Sequence, residues 1–83
     1  MYTVYILFSP GHNKIYIGCT SNMEARFLSH NVLGNKGWTI KFRPWEILYR
    51  QEFENKNDAF KKGKELKTAK GREWIWDVLV ANR

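Results

Sequence analysis

The chain has little of the chemistry on which disulfide-bonded and zinc-stabilised proteins depend. Its 83 residues include one cysteine, Cys19, and two histidines, His12 and His30. A single cysteine cannot form an internal disulfide, which predicts the reducing cytosol as the location of the protein. Two histidines far apart in the sequence do not form the ligand pattern of a structural zinc site. The first residues lack the basic segment and apolar stretch of a secretory signal, so we expect no such signal.

The sequence also lacks long apolar runs and the short motifs of several large enzyme classes. No apolar run approaches the roughly 18–20 residues that a membrane-spanning helix needs. There is no glycine-rich phosphate loop and no G-x-S-x-G motif. These absences argue against a P-loop nucleotide hydrolase and against a serine hydrolase of the α/β type.

Apolar and aromatic residues are abundant by contrast. They make up 43% and 16% of the chain, and four of them are Trp. This composition excludes intrinsic disorder, which requires low hydrophobicity, and a few large aromatic side chains can anchor a small core. The length predicts one domain that spans residues 1–83.

Positive charge is concentrated in one segment of the chain. The formal net charge is +6, and seven basic side chains against two acidic ones between residues 56 and 72 contribute +5 of it. A clustered basic segment on a folded domain is typical of a protein whose partner is a polyanion. A solvated helix face would carry the same charges, so charge alone leaves both interpretations open.

The first part of the chain predicts a β-hairpin. Residues 2–8 are rich in β-branched and aromatic side chains, as strands are. Residues 9–13 are dense in turn formers and predict a five-residue turn. Residues 14–17 then predict a second strand, which Gly18 ends. Alternation along the first strand places Tyr5 and its second neighbours on one face of the sheet.

A helix is expected to follow the hairpin. Ser21 and Glu24 have the spacing of a capping box, which predicts that the helix begins at Ser21 and continues to about His30. Met23 and Phe27 are four residues apart, so their side chains can pack together toward the core.

The middle of the chain predicts a packed loop and a third strand. Residues 34–45 contain the breakers of a loop. Trp38 and Trp45 in this loop are expected to pack onto the domain, although an exposed Trp could instead stack on an unpaired base. Residues 46–53 return to the alternation of a strand.

Two further helices complete the prediction. Asn57 is expected to cap a helix over residues 58–68, and Gly71 is expected to end it. A third helix over residues 72–81 carries an apolar stripe at helical spacing, made of Trp74, Ile75, Val78 and Leu79. The order β-β-α-β-α-α predicts an α+β domain, in which helices pack on a small, mostly antiparallel three-stranded sheet.

Four residues in the first half form an ordered pattern: Tyr5, Tyr16 in the run Tyr16-Ile17-Gly18, and then Arg26 and His30. The two tyrosines are eleven positions apart, as expected for a pair carried by a hairpin. This pattern resembles the GIY-YIG nuclease superfamily, in particular its small stand-alone bacterial members of the UPF0213 type. Thr3-Val4-Tyr5 is a loose version of the first half-motif, and Tyr16-Ile17-Gly18 is an intact second one.

The resemblance extends past these motifs over nearly the whole chain. It includes Arg43-Pro44-Trp45, Leu48-Tyr49, the segment from Ala59 to Lys67, and Gly71-Arg72. It implies the GIY-YIG fold and a DNA partner. The roles of the superfamily span repair, restriction, homing and recombination, and a fold alone does not select among them.

The resemblance also implies a chemistry, which is metal-dependent hydrolysis of a DNA phosphodiester. Tyr5 would accept a proton from the attacking water or orient it, which requires nearby cations to lower the phenol pKa. Tyr16 would hold the phosphate or support Tyr5. Arg26 would bind the scissile phosphate, and His30 would assist proton transfer. One divalent ion, Mg²⁺ or Mn²⁺, would stabilise the leaving oxygen.

The sequence departs from the superfamily pattern at the metal ligand. Relatives place a glutamate four residues after the position of Ala59, and here that position is Gly63. Glu65 is the fallback ligand, but it lies about 200° further around an α-helix, so it should face elsewhere. Loss of catalysis, a deliberate inactivating substitution, or tight packing at this point would each account for Gly63.

Three functions remain open from the sequence. The chain could be an active DNA endonuclease, a catalytically weakened or inactive module that binds DNA or RNA, or a protein-interaction domain. The first two would use basic side chains of the second helix and the residues after it as phosphate contacts. The candidates for these contacts are Lys61, Lys64, Lys67 and Arg72.

Overall fold

A three-stranded antiparallel sheet forms the centre of the protein. In the computed structural model, which describes residues 1–34 and 37–83, the strands are β1 (Tyr2–Ser9), β2 (Lys14–Thr20) and β3 (Glu46–Phe53). Their order is β2-β1-β3, and both pairings are antiparallel. Helices pack on this sheet, so the predicted α+β class and the antiparallel sheet are confirmed.

The central strand β1 contributes to a separate apolar cluster on each face of the sheet. Val4 and Ile6 belong to the larger cluster, which the second half of the chain covers. Tyr5 and Leu7 belong to the smaller cluster, together with Met23 and Trp45. Alternation explains this division, because successive side chains of a strand point to opposite faces.

The hairpin differs from the prediction at its turn and at Gly18. The turn has four residues, Pro10–Asn13, because β1 extends to Ser9 and pairs there with Lys14. Gly18 does not end β2, which continues to Thr20. A glycine can stay within a strand where another group approaches the backbone closely, and at Gly18 that group is the ring of Tyr5.

The first helix is capped one residue later than predicted. Helix α1 spans Met23–Leu28, and its N-cap is Asn22, whose side chain accepts a hydrogen bond from Ala25 N at 3.1 Å. The predicted cap at Ser21 was therefore wrong. An Asn side chain caps a helix at least as well as Ser, and Asn22 has the extended backbone that a cap requires.

Helix α1 continues into a π-helical segment, Ser29–Leu33. Arg43 closes its end from a distant part of the chain. Its guanidinium donates to His30 O at 2.7 Å and to Ser29 O at 3.0 Å. Ser29 O also accepts from Gly34 N at 2.8 Å, so Arg43 adds a second donor there and supplies His30 O with a partner near the helix end.

The loop predicted over residues 34–45 contains a short 3₁₀ helix, Trp38–Phe42. Residues 35 and 36 of that prediction lie outside the described residues. Trp45 is 2% exposed and belongs to the core, and its indole N–H donates to Thr39 O at 2.8 Å. Trp38 is 47% exposed, so the two tryptophans differ in their environment.

Strand β3 has the predicted bounds and an irregularity that the sequence did not predict. Ile6 pairs with Tyr49 and Leu7 pairs with Ile47, so the register shifts between them. The extra residue, Leu48, packs against the same apolar cluster as Tyr49. A bulge of this kind places two neighbouring residues on one side, which simple alternation does not allow.

Helix α2 spans Lys56–Leu66, and its N-cap is Asn55 rather than the predicted Asn57. The Asn55 side chain accepts a hydrogen bond from Asp58 N at 2.9 Å. Ala59 and Leu66 are buried against the sheet.

Helix α3 spans Ala69–Trp74 and continues as a π-helical segment, Ile75–Val80. Gly71 was predicted to end the preceding helix, but it lies within α3 and packs against the end of α2. A Cβ at position 71 would lie 2.6 Å from Leu66 Cα. Glycine permits this close approach of two helices because it has no side chain.

The predicted apolar stripe of the last helix is only partly correct. Ile75 is buried and Leu79 packs against the core, but Trp74 and Val78 are 38% and 42% exposed. Trp76 packs against the core instead. The wider π-helical turn changes the side-chain spacing from the α-helical one that the prediction assumed. Within the described residues, no helix has both the length and the apolar character that crossing a membrane requires.

Candidate functional site

A cavity of about 290 Å³ opens around the edge strand β2, between helices α1 and α2. Tyr16 and Gly18 of β2 face it from the same side of the sheet as Tyr5. The other residues that line it come from both helices and from the opposite side of β2. These are Ile17, Cys19, Arg26, Phe60, Gly63, Lys64 and Lys67.

Tyr5 reaches this cavity because Gly18 lies opposite it in the hairpin. The two residues pair across β1 and β2, and a side chain at position 18 would overlap the phenol ring. The glycine of the Tyr16-Ile17-Gly18 motif therefore has a steric role, which is to leave room for the Tyr5 ring.

A buried chain of hydrogen bonds fixes the Tyr5 hydroxyl. It lies 2.9 Å from His30 Nε2, and His30 Nδ1 lies 3.0 Å from Thr39 Oγ1. His30 and Thr39 are both buried. Because each group holds its neighbour in place, the phenol oxygen has a fixed position at the wall of the cavity.

Burial sets the protonation of this chain. It raises the pKa of Tyr5 to about 12, and the adjacent Arg26 guanidinium only partly opposes this rise. Burial, together with the positive charges of Arg26 and Arg43, lowers the pKa of His30 below its ordinary value of 6.5. At neutral pH the free protein therefore has a protonated phenol beside a neutral imidazole. The lowered phenol pKa that the resemblance implied is absent.

Arg26 lies on the outer wall of the site with its side chain exposed. Hydrogen bonding and charge interaction with Tyr5 raise the pKa of its guanidinium above its ordinary value. The helix places Arg26 and His30 four residues apart, so both approach Tyr5 from one side. An exposed guanidinium at this point can bind an anion that enters the cavity.

Tyr16 lies where three neighbouring cavities meet. It lines the cavity described above and two neighbouring ones. Its ring lies 6.2 Å from that of Tyr5, 4.6 Å from that of His30 and 6.5 Å from that of Trp38, measured between centroids. The tyrosines, Arg26 and His30 that the sequence singled out thus meet at one site.

Gly63 faces this cavity from helix α2. A Cβ added at this position would meet no atom of residues 1–34 and 37–83 within 4 Å. Packing therefore does not require glycine here, which removes the tight-packing explanation. The open space would accept a longer side chain that points toward Tyr5 and Arg26.

Glu65 lies elsewhere. It lines a different cavity, between α2 and α3, and its carboxylate is 3.7 Å from Lys62 Nζ. Two residues along an α-helix turn the side chain by about 200°, which carries Glu65 away from the face of Gly63.

The side chains that line the cavity do not fit a divalent metal ion. GIY-YIG nucleases generally use such ions, and Mg²⁺ and Mn²⁺ prefer carboxylate and other oxygen ligands. Among the described residues, none that lines the cavity carries a carboxylate. No group of three or more His, Cys, Asp or Glu side chains within residues 1–34 and 37–83 could hold a metal.

The candidate phosphate contacts fall into two groups. Lys64 and Lys67 line the cavity, and Lys67 also lines the neighbouring one together with Arg72. Lys61 is exposed and lines neither of these two cavities.

Sequence reasoning missed two residues of the site. Lys14 lines the neighbouring cavity, and its place two residues before Tyr16 on the same strand could have revealed that it shares a face. Thr39 holds His30, but no local signal connects two residues that are nine positions apart on either side of a loop.

Known proteins are similar to this chain in sequence. The profile of the GIY-YIG catalytic domain matches residues 1–76. A UPF0213 protein of Staphylococcus haemolyticus is 36% identical over 56 residues, which are 68% of each chain. A UPF0213 protein of Limosilactobacillus reuteri is 38% identical over 60 residues, which are 70% of this chain and 62% of the relative. The matches thus span about two thirds of the relatives' length. No solved structure matches the chain. Because the profile covers almost all of the described chain, the protein belongs to the GIY-YIG family.

Proposed function

We propose that the chain is a GIY-YIG endonuclease domain that binds one phosphodiester of DNA in the cavity beside Tyr5, and that Gly63 impairs hydrolysis there. One observation carries the proposal. Tyr5, Tyr16, Arg26 and the open position 63 face a single cavity, and the charged side chains that line it among the described residues are all basic. Such a cavity suits a phosphate group, and the missing carboxylate is the group that a metal ion would require.

The basic side chains would provide the binding. Arg26, Lys64 and Lys67 approach the cavity from two helices, so a phosphate between them would be neutralised from two sides. Arg26 can donate two parallel hydrogen bonds to a phosphate and thereby orient it, whereas lysine contributes a point charge.

Tyr5 and His30 would provide a path for a proton. The neutral imidazole can accept the Tyr5 proton at Nε2 while its Nδ1–H donates to Thr39 Oγ1. In this tautomer the phenol oxygen donates to His30 and accepts from Arg26, and its remaining lone pair can accept a proton from a water beside the phosphate. Tyr5 would then pass its own proton to His30 as it takes one from the water, which a phenol with a raised pKa can do.

The experiment is a cleavage assay on duplex, single-stranded and branched DNA with Mg²⁺ or Mn²⁺. It compares the chain as given with Gly63→Glu and with Gly63→Gln, which has the same size but is a poorer ligand. We expect weak or no cleavage by the chain and by Gly63→Gln, and clear cleavage by Gly63→Glu. A further substitution of Tyr5→Phe in Gly63→Glu should lower the rate about 100-fold or more, the scale of a lost proton-transfer group.

Other outcomes would change the assignment. Equal cleavage by the chain and by Gly63→Glu would show that position 63 is not the ligand position, and Glu65→Gln would then test the fallback. Loss of DNA binding in Arg26→Ala, with the fold intact by circular dichroism, would support the phosphate site. No binding of any DNA at low salt would contradict the proposal and favour a protein-interaction domain.

The same missing carboxylate also favours a second function. In this alternative, the chain is an inactive module that binds nucleic acid without cutting it. It differs from an impaired nuclease in one result. The inactive module would bind DNA in a salt-sensitive manner and stay inactive even as Gly63→Glu. For either function we expect the cytosol as the compartment, since the chain carries one cysteine.

A further inference from the structure

Trp38 lies beside the cavity lined by Tyr5, Arg26 and Gly63 (the phosphate cavity), and nearly half of its surface is exposed. Tyr16 separates it from that cavity, and the two rings are nearly parallel, 29° apart. The exposed part of an indole offers a large, rigid aromatic surface to a ligand.

Two aromatic side chains of the domain pack against Trp38 and hold it in place. Its ring centroid lies 4.7 Å from that of Phe42 and 5.9 Å from that of Trp45, and Trp45 is itself 2% exposed. The indole is therefore fixed before any ligand arrives, so binding costs little side-chain entropy.

The surroundings of Trp38 match a nucleotide. It lines a cavity of about 550 Å³ together with Lys14, Lys67 and Arg72. Lys67 lines the phosphate cavity as well. Because Lys67 borders both cavities, a nucleotide whose phosphate lies near Lys67 can extend toward Trp38.

We propose that Trp38 stacks on an unpaired base next to the bound phosphate, so that the domain prefers DNA with unpaired nucleotides to intact duplex. In a duplex each base is already stacked on its neighbours, and only base edges are accessible in the grooves. An unpaired nucleotide can turn its aromatic face to the indole, and such stacking is tolerant of sequence because every base has that face. This inference rests on the proposed phosphate site and names the substrate class of that site.

Fluorescence anisotropy in EDTA, which prevents cleavage, tests the inference. The ligands are a labelled short oligothymidylate and a labelled hairpin duplex, and the proteins are the chain as given, Trp38→Ala, Trp38→Phe and Trp74→Ala. We expect the chain to bind the single strand more tightly. Trp38→Ala should weaken single-strand binding about tenfold, the loss typical of one stacked base, and should change duplex binding little. Trp38→Phe should retain most of the single-strand affinity.

Trp74→Ala is the matched control, because Trp74 is similarly exposed but packs on Tyr49 rather than beside the cavity. It should leave both affinities unchanged. A strand of abasic residues, which keeps the phosphates and lacks the bases, provides a test on the unaltered protein. The chain should bind this strand about as weakly as Trp38→Ala binds oligothymidylate.

Three results would overturn the inference. They are equal losses for single strand and duplex in Trp38→Ala, no loss in Trp38→Ala, and equal binding of the abasic and thymidine strands by the chain. The phosphate site fails separately, if Arg26→Ala leaves the binding of both ligands unchanged.

Discussion

At the scale of single residues, Tyr5 and His30 show how position determines chemistry. Tyr5 is 1% exposed and His30 is 9% exposed, so both lose contact with water that would stabilise their charged forms. The pKa of the phenol therefore rises, and that of the imidazole falls. The pair is suited to passing a proton between neutral groups, and poorly suited to holding a phenolate before DNA binds.

The lowered pKa of His30 predicts a pH dependence of stability. The unfolded chain takes up a proton on His30 near pH 6.5, while the folded protein resists this until a lower pH. The contribution of His30 to the free energy of unfolding should therefore be fully present above about pH 6.5. It should fall as the pH drops toward the lowered pKa of the folded state. Urea unfolding between about pH 7.5 and pH 5.5, where carboxylates contribute little, measures this fall.

His30→Gln should remove most of the fall, because glutamine does not titrate. His12→Gln is the control, since His12 is exposed in the hairpin turn, and it should keep the fall of the unaltered chain. The same pH dependence in all three proteins would contradict the role assigned to His30.

At the scale of the elements, the two glycines of the C-terminal helices have opposite reasons to be there. Gly63 has open space in the direction of a Cβ, whereas Gly71 is pressed against the backbone of Leu66. Both lie within helices, where glycine is less stable than alanine. Only the second position recovers this cost through close packing.

We therefore expect Gly63→Ala and Gly71→Ala to change stability in opposite directions. Gly63→Ala should raise the free energy of unfolding by about 0.4–1 kcal/mol, because alanine restricts the unfolded chain and fits the helix. Gly71→Ala should lower it by about 1–3 kcal/mol through overpacking. Urea unfolding at neutral pH measures both, and a loss of stability in Gly63→Ala would contradict the open space at that position.

The start of helix α2 offers a second test at this scale. The Asn55 side chain accepts the hydrogen bond from Asp58 N, while Asn57 is exposed within the first turn. Asn55→Ala should cost about 1 kcal/mol of stability, and Asn57→Ala should stay within about 0.5 kcal/mol of the unaltered chain. Thermal unfolding followed by circular dichroism separates the two, and the reverse order would restore Asn57 as the cap.

At the scale of the whole molecule, the basic charges are not equivalent. Lys64 and Lys67 meet Arg26 at the cavity across helices that are distant in sequence, and Lys61 lies outside it. If DNA follows this surface, the charges at the cavity should determine how strongly salt weakens binding, since each neutralised phosphate releases counterions.

Lys64→Gln should therefore reduce the slope of log affinity against log salt by about 1, which is the share of one phosphate contact. Lys61→Gln, on the same helix with the same change in charge, should leave the slope nearly unchanged. Titration of a labelled duplex at several NaCl concentrations in EDTA gives both slopes. Equal reductions would mean that DNA contacts helix α2 along its length rather than at the cavity.

Local patterns were enough to predict the three strands and helices α1, α2 and α3, but not the 3₁₀ helix Trp38–Phe42. The alternation of residues 46–53 gave the correct bounds of β3, whereas its bulge depends on pairing with β1 and was not predicted. Caps were harder. At both α1 and α2 an asparagine near the predicted residue is the N-cap, since several residues of similar capping strength compete within a few positions.

Motif spacing and periodicity are local properties of the chain, and they were enough to indicate the family, the α+β element order, the set of Tyr5, Tyr16, Arg26 and His30, and the direction of Glu65 away from position 63. The meeting of distant groups was visible in the folded protein alone. Folding joined His30 to Thr39, set the strand order β2-β1-β3, placed Gly63 at the cavity and left Trp38 exposed beside Tyr16. These contacts depend on how helices pack on the sheet, and that packing sums many distant interactions that no short segment contains.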